Sequence, residues 1–142
     1  MRTEKDFLGE IQIPNRLYYG IQTTRAMHNF NITGYELDRD FIIALGIVKA
    51  AAARANLKSG RMPAQIGAAI IKAAEEVSEG QWQDQFVVDC IQGGAGTSMN
   101  MNANEVIANR ALEILGSKKG NYGLVSPNNH VDMAQSANDV IP

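Results

Sequence analysis

Phe41-Ile42-Ile43-Ala44-Leu45-Gly46-Ile47-Val48-Lys49-Ala50-Ala51-Ala52-Ala53-Arg54-Ala55-Asn56 is the stretch that sets the fold class. Phe41, Leu45, Val48, Ala52 and Ala55 recur at three- and four-residue steps, so a helix places them on one face. The run from Lys49 to Asn56 is rich in alanine, the residue with the highest intrinsic helix propensity. Asp38 stands where an N-cap is needed, since its carboxylate accepts from the orphan amides of a first turn. Gly60 is a natural stop. Pro63 suits the first turn of a following helix, where its missing amide costs nothing. Ile66, Ile70, Ala73 and Val77 form the apolar stripe of that second helix, and Gly80 ends it. The alanines imply close approach between helices. The chain reads as mainly α.

Upstream, Gly9-Glu10-Ile11-Gln12-Ile13 alternates apolar and polar residues, the period of a half-buried strand. Pro14-Asn15 reads as a turn and Leu17 to Ile21 as a return strand, which predicts a short N-terminal β-hairpin. Thr23 or Thr24 caps a short helix that closes near Phe30. Downstream, Trp82, Phe86, Val87 and Val88 are apolar, but Gln92-Gly93-Gly94-Ala95-Gly96 favours a loop. Thr97 or Ser98 then caps a helix that runs to about Leu115. A polar connection covers residues 116–122, Ser126-Pro127-Asn128-Asn129 makes a second loop, and a helical start is expected near Asp132.

The whole chain has 142 residues, the length of one domain. Hydrophobic residues make up 45% and charged residues 20%, which fits a globular protein and not a disordered one. Thirteen Lys plus Arg against fifteen Asp plus Glu leave a formal charge of −2, no electrostatic footprint for nucleic acid or an anionic membrane. No apolar run approaches the roughly 18 residues of a membrane span. Met1 to Asp6 is charged and leads into no apolar signal region, so a cytoplasmic setting is expected. A lone Cys90 makes no internal disulfide, and two histidines build no zinc site. No cofactor or metal is expected.

Two segments depart from what packing alone would choose. In the first, Gly93-Gly94-Ala95-Gly96-Thr97-Ser98, glycines let a backbone approach a ligand, and the helix that follows presents free amides. A hydroxyl at Thr97 or Ser98 adds a neutral donor suited to a carboxylate or phosphate. The spacing is neither a P-loop nor a dinucleotide fingerprint. Behind it stand Asn100, Asn102, Asn104 and Asn109, four poor helix formers in ten residues, which suggests side chains held for their hydrogen bonds. The bland alternative is a glycine turn, a cap and a solvent-facing asparagine helix. In the second segment, Gln135, Ser136 and Asn138 offer several uncharged hydrogen bonds. His130 alone is more often a packed or capping residue than a catalyst. Arg25 is a third candidate, because arginine presents a fork to a carboxylate, although a single helical arginine is usually solvated or ion-paired.

Gly94-Ala95-Gly96-Thr97-Ser98-Met99-Asn100-Met101-Asn102-Ala103-Asn104-Glu105 resembles the first signature of the aspartase/fumarase superfamily. Gly20 to Ala26 with Asn29-Phe30 resembles its N-terminal motif. His130 to Pro142 resembles the segment that ends the family's first domain. The Gly-Gly-Ala-Gly-Thr-Ser form and Asn29-Phe30-Asn31-Ile32-Thr33-Gly34 look like the aspartate ammonia-lyase branch more than the fumarases.

The resemblance implies reversible loss of ammonia from L-aspartate to give fumarate, in the family's first domain. It implies that a base takes a Cβ proton and that fixed donors stabilise the enediolate that forms. By that likeness Thr97, with Ser98 beside it, binds a substrate carboxylate. Ser136 and Asn138 hold carboxylate or amino groups, and Arg25 joins the substrate-binding set. The implied partners are a small dicarboxylate or amino-acid substrate, the family's remaining domains and the subunits of a homotetramer. No nucleic acid or membrane is implied. The base belongs to a region beyond Pro142, so residues 1–142 are expected to be an N-terminal lyase domain without activity of its own. Three positions depart from the usual pattern: Asp132 stands for Asn, Ala134 for Ser, and Ala137 for Ser or Thr. Asp132 adds negative charge where a dianion is expected to bind. A stand-alone dicarboxylate-binding or assembly module, or a domain of a fumarase or another lyase of succinyl compounds, stays open as an alternative.

Overall fold

The computed structural model describes residues 1–141; Pro142, the last residue of the third resembling segment, lies outside the described residues. Among the described residues two strands, β1 (Arg2–Asp6) and β2 (Gly9–Ile13), precede five helices. These are α1 (Ile21–Asn29), α2 (Arg39–Lys58), α3 (Ala64–Ser78), α4 (Thr97–Ile114) and the single turn α5 (Ala137–Val140). A 3-10 turn, Gln83–Gln85, and a π-helical turn, Pro127–Val131, lie between them. The mainly α class with a short hairpin is borne out.

The hairpin's partner strand differs from the expectation. β2 pairs antiparallel with β1, with Arg2 opposite Ile13 and Asp6 opposite Gly9, and residues 17–20 form no strand. The charged run Arg-Thr-Glu-Lys-Asp carries no apolar alternation, so its pairing was not visible. It is held by buried ionic chemistry instead. The Glu4 side chain is buried, its Oε1 accepts from Arg2 Nε at 2.7 Å and its Oε2 accepts from the Ile21 amide at 2.8 Å. Arg2 also donates to the carbonyls of Pro14, Leu17 and Tyr19, so residues 14–19 are strapped to β1 by side-chain bonds and not by a ladder.

α2 begins where Asp38 predicts, with the Asp38 carboxylate accepting from the Asp40 amide at 2.8 Å. It ends in a glycine cap at Gly60, φ +73°, where the Gly60 and Arg61 amides return to the Leu57 and Asn56 carbonyls. Its buried face is Ile42, Leu45, Gly46, Lys49, Ala50, Ala53 and Asn56, rotated from the expected stripe, and Val48 is 39% exposed. The true face contains a glycine, a lysine and an asparagine, which a count of apolar residues passes over.

α3 buries Ile70, Ala73 and Val77 as read but leaves Ile66 half-buried, and Pro63 is its N-cap, one position ahead of the expected first turn. α2 and α3 form a tight antiparallel pair. A Cβ on Gly46, early in α2, would come within 2.6 Å of the Ser78 amide at the end of α3, and one on Gly67, early in α3, would meet Leu57 late in α2. α4 is the central element. Every residue from Asn102 to Asn109 is buried, packed by α1, α3 and the π-helical turn. Among the described residues no helix is long and apolar enough to cross a membrane.

Candidate functional site

The asparagines of α4 are internal, which overturns the solvent-facing alternative. Asn102 accepts from the Val87 amide at 3.0 Å and donates to the Gln85 carbonyl at 2.8 Å. Asn109 donates to the Tyr18 carbonyl at 2.7 Å and accepts from the Gly120 amide at 2.7 Å. Their side chains satisfy backbone groups of the connecting segments, including the end of the 3-10 turn at Gln85. Glu105, not singled out in the sequence, does the same for α1. Its buried carboxylate accepts from the amides of Gly20, Gln22 and Thr23 at 2.8–3.0 Å and from the Thr23 hydroxyl at 2.6 Å. Thr23 is therefore a buried partner inside α1, whose N-cap is Gly20. Burial pushes the Glu105 carboxyl up, while these donors from Thr23, Gln22 and Gly20 pull against it.

The glycine turn differs from the expected Thr or Ser cap. α4 starts at Thr97 with Gly96 as N-cap at φ +83°, and Thr97 Oγ1 donates back to the Gly94 carbonyl at 2.6 Å. The cap is supplied from outside the helix: Gln92 Oε1 accepts from the Met99 amide at 2.9 Å. Ala95 sits at φ +52°, left-handed backbone that a residue with a Cβ adopts only under constraint. Thr97 is exposed and Ser98 half-buried.

The second segment is brought against the first. A Cβ on Gly96 would collide with the Ile141 side chain, so the stretch that carries Ser136 and Asn138 packs on the glycine turn. Ser136 is the N-cap residue of α5, and both Ser136 and Asn138 are exposed. Thr97 and Ser98 thus begin α4, and Ser136 and Asn138 belong to the α5 turn that contacts it. Arg25 is engaged elsewhere. Its guanidinium forks onto Asp6 at 2.6 and 2.7 Å, and this bond holds the Asp6 carboxyl below its usual range. His130 accepts from the Ser126 amide through Nδ1 at 2.9 Å, which makes it a packed residue whose burial lowers its pKa.

Asp132 does not stand as a free negative charge. Its Oδ1 accepts from Lys49 Nζ at 2.8 Å and from Asn100 Nδ2 at 3.1 Å. Lys49 was missed in the sequence because it falls in an alanine-rich helix, where lysine ordinarily faces solvent. Ala134 holds left-handed backbone at φ +59°. A crevice of about 460 Å³ lies elsewhere, lined by Lys5, Phe7, Gln22, Met101, Tyr122 and Asn128 among others, and contains none of the predicted site residues. Among the described residues no three His, Cys, Asp or Glu side chains are grouped to hold a metal ion.

Comparison with known proteins matches residues 9–142 to the family model described as Lyase. Over 141 residues, 99% of this chain and 30% of the relative, it is 64% identical to an aspartate ammonia-lyase of Bacillus subtilis. It is 55% identical to a class II fumarate hydratase of Halobacterium salinarum over the same shares. The crystal structure of a fumarate lyase:delta crystallin from Brucella melitensis bound to cobalt superposes with a TM-score of 0.97 at 52% identity, over 99% of this chain and 31% of that one. The chain therefore spans about 30% of the length of the curated relatives it matches. With the helical fold, the matched model and these identities together, the chain belongs to the lyase family of the aspartase/fumarase superfamily and corresponds to its N-terminal domain.

Proposed function

We propose that this chain supplies the carboxylate-binding loops of a lyase that converts L-aspartate to fumarate and ammonia. The observation that supports the reading is the contact of Ile141 with Gly96 and of α5 with α4, which brings two hydroxyl- and amide-bearing segments next to each other. The 64% identity to an aspartate ammonia-lyase supports that branch. Removal of a Cβ proton from aspartate builds negative charge on the neighbouring carboxylate. Donors fixed in place stabilise that charge without reorganising. Ser98, and Thr97 once its hydroxyl turns from the Gly94 carbonyl, hold one carboxylate at the start of α4, where the helix dipole also favours an anion. Ser136 and Asn138 hold the groups at the other end of the substrate. Arg25 clamps α1 to the hairpin in this reading and does not contact substrate.

Hydroxyls and amides at neutral pH do not remove a carbon-bound proton, so the base comes from other domains or from other subunits of a homotetramer. The 142-residue chain by itself is inert. The test compares this chain with the full natural gene product, following fumarate and ammonia released from L-aspartate. The full product is expected to release both in equal amounts, and the short chain neither. Thr97→Val and Ser136→Ala in the full product are each expected to lower kcat about 10²- to 10³-fold, the scale of losing one such donor. Turnover of L-malate in place of L-aspartate would move the protein to the fumarases, a reading favoured by the 55% identity to a fumarate hydratase. Fumarate release by the short chain would overturn the inert reading.

A further inference from the structure

Lys49 has no exposed side-chain surface. Its Nζ donates to Asn100 Oδ1 at 2.7 Å, to Asp132 Oδ1 at 2.8 Å and to Gln135 Oε1 at 3.0 Å, so all three ammonium protons are used. Burial lowers the lysine pKa and the bond to Asp132 opposes that. A buried ammonium is costly without partners, and a helix that needed only to pack would carry an apolar residue here.

The acceptors belong to two different parts of the chain. Asn100 is in α4, whereas Asp132 and Gln135 bracket the turn just before Ser136. The turn is closed by the Gln135 amide, which donates to the Asp132 carbonyl at 3.0 Å. Seven residues along α2, on the same buried face, Asn56 Nδ2 donates to the Met133 carbonyl at 3.0 Å. Asn100 Nδ2 adds its bond to Asp132. The turn is thus tied to α2 at Lys49 and Asn56 and to α4 at Asn100, with Ala134 held in left-handed backbone between the ties.

We propose that Lys49 and Asp132 are positioning residues: the hydrogen bonds that Lys49 Nζ and Asn100 Nδ2 give to the Asp132 side-chain oxygen fix the Asp132–Gln135 turn on α2 and α4 and so set where Ser136 and Asn138 stand relative to the Gly93–Ser98 turn. The inference rests on the lyase reading above for its functional consequence. Asp132 also cancels the lysine's charge, so the donors beyond it act on a substrate anion without a buried cation behind them.

The test uses the full natural gene product carrying Lys49→Met, Asp132→Ala or Asp132→Asn, with amide hydrogen exchange and steady-state kinetics on L-aspartate. Lys49→Met and Asp132→Ala are expected to speed exchange at residues 133–138 about tenfold or more, with α3 and the middle of α4 unchanged. They are expected to raise KM about tenfold, with a smaller change in kcat. Asp132→Asn keeps an acceptor for both Lys49 and Asn100, so exchange returns to within about threefold of the unsubstituted protein and KM does not rise. Unchanged exchange at 133–138 in Lys49→Met and Asp132→Ala would overturn the inference, as would faster exchange with both kinetic constants unaltered. If Lys49→Met fails to fold, the Asp132→Ala and Asp132→Asn pair makes the same comparison at a partly exposed position. Absence of turnover in the unsubstituted protein refutes the aspartate reading alone, and the exchange comparison still decides whether the pair holds the turn.

Discussion

Asn102 is 0% exposed and satisfies two backbone groups of a loop fifteen and seventeen residues before it. Truncation to alanine leaves the Val87 amide and the Gln85 carbonyl without partners. An unsatisfied buried group costs about 1–3 kcal/mol, so with two such groups Asn102→Ala is expected to lose about 2–6 kcal/mol in urea unfolding. A loss below half a kilocalorie would mean that water replaces the side chain. The density of asparagines in α4 was legible as a sign of hydrogen bonding, and that inference holds for Asn100, Asn102 and Asn109, whereas Asn104 reaches only the Met101 sulfur at 3.6 Å and its buried Oδ1 has no partner among the described residues. Their partners were not legible, because Asn109 reaches a carbonyl 91 residues away and no local pattern announces such a contact. Lys49 shows the same limit in sharper form. Its neighbours Val48 and Ala50 suggest a helix, and only the position of Asp132, 83 residues on, explains why the lysine and not the valine turns inward.

At the scale of elements, α2 and α3 approach closely enough for two glycines to matter differently. At Gly46 an added methyl would meet the Ser78 amide at 2.6 Å and the Ala74 carbonyl at 3.0 Å, both backbone, which cannot step aside without separating the helices. At Gly67 it would meet Leu57 Cδ1 at 3.0 Å, the end of a flexible side chain. Alanine gains about 1 kcal/mol over glycine in a helix interior. Overpacking costs about 1–3 kcal/mol. Gly46→Ala is therefore expected to lower the melting temperature and Gly67→Ala to leave it level or raise it. Equal effects would show that propensity and not contact governs the pair. The helices themselves were readable from their period and stops. The phase of α2 was not, because the buried face is defined by how near α3 comes, and close approach selects glycine over the larger residues that a hydrophobic count rewards. β1 escaped notice for a related reason: its stabilising contacts are ionic, and its sequence resembles a solvated terminus.

Across the whole molecule, the connections between helices are tied by carboxylates, and Asp89 is one of these ties. Its carboxylate accepts from the amides of Ile32, Thr33 and Gly34 and from the Thr33 hydroxyl, and it also takes the Ile91 amide at 2.8 Å. Desolvation pushes the carboxyl up, yet the bonds from Ile91, Thr33 and Gly34 outweigh it and hold the group far below the usual carboxylate range. A folded pKa below the unfolded value of about 3.9 means that the unfolded chain binds the proton more readily. The stability that Asp89 contributes is therefore fully present above about pH 4 and drains away as pH falls toward the folded value. Asp89→Asn removes that contribution at neutral pH. Urea midpoints of the two proteins should stand apart by a constant amount from about pH 7 to 5 and converge below about pH 4. A gap that stays the same into strong acid would show that the asparagine loses shape and not charge. The same residue links stability to the site, since its carbonyl accepts from Gln92 Nε2 at 2.7 Å while Gln92 Oε1 caps α4 at Met99. Protonation of Asp89 loosens residues 32–34 and 91 first, and through Gln92 the slack passes to the Gly93–Thr97 turn. Exchange of the amides from Gln92 to Ser98 should accordingly quicken in acid before the core of α4 opens, and Asp89→Asn should show that quickening already at neutral pH.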